Sequence, residues 1–128
     1  MNKLRKYVVL GPVDTVKRMG NQLIEDLKPR YVYQFHIQEQ DAYSIVCVFE
    51  QYQRLTNSST SLTCIAEYSN KSIKFELMPT GGRMGFRGST TNADKTLSDV
   101  VIDFIYDFAK RYGLTPQEIP VKQPDDKD

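Results

Sequence analysis

Three runs of regular spacing predict an α+β fold: strand, helix, four or five antiparallel strands, helix, with both helices packed on one face of the sheet. Apolar residues recur at helical spacing between Val13 and Leu27, on alternate positions between Tyr31 and Leu77, and at helical spacing again between Leu97 and Tyr112. The chain has 128 residues, 40% of them hydrophobic and 26% charged, which suits one domain with a real core. A single domain over residues 1–114 is expected, followed by a polar, proline-containing tail over 115–128.

Leu4 to Leu10 is rich in β-branched and aromatic residues and is closed by Gly11-Pro12, so it reads as a first strand. Val13, Val16, Met19 or Gly20, Leu23, Ile24 and Leu27 then mark the apolar face of a helix, which Pro29 ends. From Tyr31 the alternation puts Tyr31, Tyr33, Phe35 and Ile37 on one side and Gln34, His36 and Gln38 on the other. A turn over 38–41 returns the chain into Tyr43 to Gln51. Pairing Phe35 near Ile45 and Tyr33 near Cys47 would keep the rings in the core.

Beyond a polar loop over 53–60, Leu62, Cys64, Ala66 and Tyr68 alternate with polar positions, and Ser69-Asn70-Lys71 turns the chain into Ile73, Phe75 and Leu77. A short further strand carrying Met84 and Phe86 is expected after Pro79-Thr80-Gly81-Gly82. The last helix carries Leu97, Val100, Val101, Phe104, Ile105, Phe108 and Tyr112, with Thr96 as N-cap, Asp99 in the first turn and Gly113 as C-cap. The segment after Leu114 has three prolines and no periodicity, so it is expected to be mobile or loosely packed.

The strand ending in Phe49-Glu50-Gln51-Tyr52, the strand start Ser61-Leu62-Thr63 and the Thr80-Gly81-Gly82 turn resemble a small uncharacterised bacterial family, a domain of unknown function, over about residues 45–82. The resemblance implies a small α+β domain and brings no activity, cofactor or catalytic residue with it.

Charge narrows the partners. Seventeen Lys and Arg against 16 Asp and Glu give a net charge of +1, so no global basic excess argues for nucleic acid. Residues 71–95 hold Lys71, Lys74, Arg83, Arg87 and Lys95 against Glu76 and Asp94, with Phe86 and Tyr68 as rings that could stack on bases. Because most aromatics are assigned to the core, nucleic acid is not the expected partner. No stretch approaches the roughly 20 apolar residues of a membrane span, and the run from Tyr7 to Leu10 is too short for a signal-peptide core. A cytosolic chain with reduced Cys47 and Cys64 is therefore expected, and their spacing fits neither a zinc site nor a redox pair.

Candidate chemistry is sparse. Gly81, Gly82, Arg83, Arg87 and Ser89 belong to a Gly-Arg loop whose N–H groups and guanidinium groups could hold an anion, although a shielded edge strand explains the same residues. His36 is the only histidine. A triad would need it as the base, with Ser44 or Cys47 as nucleophile, but the expected register points Cys47 to the opposite face, so His36 reads as a solvated surface histidine. Cys47 and Cys64 read as small core residues, and Asp99, Asp103 and Asp107 as one solvated helix face. No catalytic set, metal site or cofactor is expected, and a non-catalytic domain is the reading.

One feature points outside the monomer. Residues 45–49 are apolar at every position, so with Ile45, Cys47 and Phe49 inward, Val46 and Val48 face away from the helices, beside Val32 and Ile65. Either a second subunit covers this face in a twofold homodimer, or the valines only satisfy β-propensity. The alternative function is a small-molecule or anion binder, its pocket between the last helix and the sheet and the Gly-Arg loop at its mouth.

Overall fold

A computed structural model describes residues 4–53, 57–81 and 96–122. Its fold is α+β: six antiparallel strands in the order β2-β3-β4-β5-β1-β6, with two helices on one face. The strands are β1 (Arg5–Leu10), β2 (Tyr31–Ile37), β3 (Ala42–Gln53), β4 (Ser58–Ser69), β5 (Ser72–Gly81) and β6 (Thr115–Ile119), and the helices α1 (Val13–Leu27) and α2 (Leu97–Tyr112).

Both helices start and stop where the sequence signals them. Thr96 and Asp99 form a reciprocal capping box, with the Asp99 N–H donating to Thr96 Oγ1 at 3.0 Å and the Thr96 N–H to the Asp99 carboxylate at 3.3 Å. Gly113 closes α2 in the left-handed conformation with φ at 72°. Helix α1 buries Val16, Met19, Gly20 and Leu23, and α2 buries Val101, Phe104, Ile105, Phe108 and Ala109. Beneath them lie Tyr7 and Val9 from β1, Ile45, Cys47 and Phe49 from β3, Leu62, Cys64 and Ala66 from β4, and Ile73, Phe75 and Leu77 from β5. The phase expected for β3, β4 and β5 is the observed one.

Tyr43 pins α1 to the sheet. Its hydroxyl donates to the Lys17 carbonyl at 2.6 Å and accepts from the Gly20 N–H at 3.3 Å, while its ring stacks on Tyr68. Gly20 makes this approach fit, because a Cβ there would lie 2.7 Å from Tyr43 Oη.

Two expectations are overturned. The segment after Leu114 is not loose over its first part: residues 115–119 form β6, which pairs antiparallel with β1, and Arg5 grips Glu118 through two 3.0 Å hydrogen bonds. The second correction concerns β2. Its register sets Val32 opposite Cys47, Tyr33 opposite Val46 and Phe35 opposite Ser44, one residue from the expected pairing. Since opposed residues share a face, Tyr31, Tyr33, Phe35 and Ile37 point away from the helices.

Candidate functional site: the open sheet face at β2

The face away from the helices is built in rows. Tyr33, Val46, Ile65, Glu76, Lys6 and Ile119 lie side by side across all six strands, flanked on one side by Tyr31, Val48, Thr63 and Met78 and on the other by Phe35, Ser44, Glu67, Lys74 and Val8. The exposed rings gather at one end. Tyr31, Tyr33 and Phe35 are exposed to 57%, 65% and 53%, and Val46, Val48 and Ile65 beside them are half-buried. Towards β1 the same face turns charged, with Lys6 at 3.7 Å from Glu76 and Lys74 opposite Glu67.

Of the four residues expected to form this patch, Val46, Val48 and Ile65 are there, with Val46 directly opposite Ile65. Val32 is not. It shares the helix side with Cys47 and is still 42% exposed, because the helices do not reach over β2. Every residue of β2 is exposed, on both faces. The three rings that enlarge the patch were missed because alternation fixes only which residues share a face, and their size assigned them to the core. An available signal was the unbroken apolar run of Ile45 to Phe49, which calls for neighbours on both faces.

Among the described residues the remaining candidates are not brought together into a reaction centre. His36 stands opposite Tyr43, on the same side of the sheet as Cys47, which corrects the expected opposition; Cys47 lies opposite Val32, four residues or roughly 13 Å along the strand. Burial pushes the Cys47 thiol up to about 11 and the Cys64 thiol higher still, so neither supplies a thiolate nucleophile near neutrality. The two cysteines are direct cross-strand neighbours, both free and buried. Asp99, Asp103 and Asp107 are exposed, Asp99 serving the capping box. Among the described residues no charged or polar residue is buried, and no group of three or more His, Cys, Asp and Glu could hold a metal ion.

Gly82, Arg83, Arg87 and Ser89, and the strand expected at Met84 and Phe86, lie outside the described residues. Gly81 ends β5 opposite Thr60 with φ at 86°, where an added Cβ would meet the Ser59 carbonyl oxygen at 2.9 Å. A groove of about 540 Å³ lies between the end of α1 and α2, lined by Asp26, Leu27, Val100, Asp103, Phe104, Asp107, Phe108 and Arg111. None of its walls comes from the sheet, because Phe104 and Phe108 are packed down at 8% and 6% exposure. Among the described residues no helix is long and apolar enough to cross a membrane. Comparison of the sequence with models of known families and with curated proteins finds no match.

Proposed function

We propose that the chain is a non-catalytic interaction domain that associates with a second copy of itself through the open sheet face, at the end formed by β2 and β3. The observation that carries the reading is the exposure of Tyr31, Tyr33 and Phe35 beside Val46 and Val48. A fully buried ring covers roughly 150–250 Å², so each of these leaves about 100 Å² in water, worth roughly 2.5 kcal/mol when covered.

Charge favours a protein surface over a nucleic acid. Exposed rings could stack on bases, but three of the cations around them stand beside carboxylates: Arg30 lies 3.3 Å from Glu50, Lys6 3.7 Å from Glu76, and Lys74 opposite Glu67. A single strand of nucleic acid needs an unmatched cationic track for its phosphates. Light scattering on a sizing column tests the proposal. The chain should run as a dimer at tens of micromolar, and Tyr33→Glu should make it monomeric while it still unfolds in one cooperative transition, at a melting temperature that no longer depends on protein concentration. A wild-type chain that stays monomeric at high concentration would sink the reading.

A small-molecule binder is the second reading, and its support is the groove between α1 and α2, where Asp26, Asp103 and Asp107 rim the edges of Phe104 and Phe108. Ligand density seated there, in crystals of protein purified from its own host, would favour it over the first.

A further inference from the structure

We infer that the two copies join edge to edge, β2 against β2, as antiparallel strands around a twofold axis at Gln34, so that the six-stranded sheet continues into its copy. The inference rests on the self-association proposed above and places the contact along the β2 edge of the open face, so that each copy flanks the rings of the other instead of stacking on them.

The two edges of the sheet are unlike. At β6 the edge is five residues long and carries Pro116 and Glu118, two devices that discourage pairing. At β2 it is seven residues long, Tyr-Val-Tyr-Gln-Phe-His-Ile, with no charge, proline or glycine, and no other described strand pairs with its outer side. An edge of that kind offers a row of backbone N–H and C=O groups to another strand. Its side chains make the same point, because β2 is exposed on both faces and Val32 is 42% exposed on the helix side. Stacking two open faces would leave Val32 uncovered, whereas adding a strand at the edge brings neighbours to both sides.

Identical strands paired in parallel would set Arg30 beside Arg30 of the other copy. The antiparallel arrangement does the opposite, and pairing the whole strand places the axis at its middle residue, Gln34. Tyr33 then faces Phe35 of the other copy, Tyr31 faces Ile37, and Val32 faces His36, so the apolar band crosses the join unbroken. The strand ends are complementary in charge. Lys28 and Arg30 precede β2, and Glu39 and Asp41 follow it. Arg30 is held by Glu50 and Asp41 by Lys17 at 2.7 Å, while Lys28 and Glu39 make no ion pair among the described residues. Antiparallel pairing brings the Lys28 end of each copy to the Glu39 end of the other, twice per dimer.

Gln34→Cys decides the geometry, because Gln34 stands opposite Ile45 on the helix side. In the edge-paired dimer the two introduced thiols adjoin across the axis and air oxidation should link most chains covalently, while the native Cys47 and Cys64 stay buried. In a stack of open faces they point away from each other and no link forms. Lys28→Glu should weaken the dimer about fivefold, and adding Glu39→Lys should restore it. A chain that dimerises, loses the dimer with Tyr33→Glu, yet gives no Gln34→Cys link overturns the edge geometry and leaves the self-association standing. Failure of the charge exchange to restore affinity overturns the antiparallel register, and a strictly monomeric chain overturns both proposals.

Discussion

Replacing Gly20 by alanine asks how tightly α1 sits on the sheet, because two effects of opposite sign meet there. Alanine is the better helix former by roughly 1 kcal/mol, and at an exposed position in α1 that gain would appear as added stability. Position 20 is buried, and its added Cβ would lie 2.7 Å from Tyr43 Oη and 2.9 Å from Ile45 Cδ1. The Ile45 methyl can turn aside, but the Tyr43 ring is held by its 2.6 Å bond to the Lys17 carbonyl and by stacking on Tyr68 at 5.3 Å between centroids. Overpacking of this kind costs roughly 1–3 kcal/mol, so the expected net effect is a loss of about 1 kcal/mol. In a domain of this size that lowers the melting temperature by roughly 3–5 °C. Tyr43→Phe removes the nearest atom together with its hydrogen bonds, at about 1 kcal/mol on its own, and Gly20→Ala should cost less in that background than in the wild type. Thermal melts of the four proteins in the cycle measure this. A Gly20→Ala variant that melts above the wild type would refute the close approach.

Thr96→Ala removes the acceptor for the Asp99 N–H and half of the capping box, and should cost about 1 kcal/mol in a urea titration with an unchanged slope. The thiols give a pH signature. Cys47 is raised by burial from 9.0 to about 11, so an unfolded chain ionises it first; its contribution to stability is whole below pH 9 and is lost as pH rises through about 11. Burial raises Tyr43 from 10.0 to about 12 and adds a loss of the same sign at higher pH. Urea midpoints should therefore fall above pH 9, and Cys47→Ala should flatten the fall between pH 9 and 11. A thiol reagent at pH 8 should find neither cysteine in the native chain and both in denaturant.

How far the fold could be read from the residues depended on whether a segment carried one signal or two in conflict. α2 carried one: an apolar stripe, Thr96 and Asp99 at its start and Gly113 at its end all agreed, and the helix has those bounds. β4 and β5 were equally plain, because Leu62 to Tyr68 and Ile73 to Leu77 alternate cleanly between apolar and mostly polar residues, and a sheet covered on one face requires that pattern. β6 was invisible, since Thr-Pro-Gln-Glu-Ile has no alternation; it is a strand because β1 presents a free edge and Arg5 reaches Glu118, both tertiary facts. β2 is the instructive case. Tyr-Val-Tyr-Gln-Phe-His-Ile alternates as clearly as β5, and the strand formed where alternation put it, yet the larger residues took the solvent side. Alternation says which side chains share a face, and burial of the larger set chooses the face only where something covers it. The helices stop short of β2, so nothing in the monomer rewards turning the rings inward, and the register follows Val32 and Cys47 instead. The same conflict marks the candidate site: within the single chain the rings of β2 stay in water, and that exposure is the observation on which the proposed self-association rests.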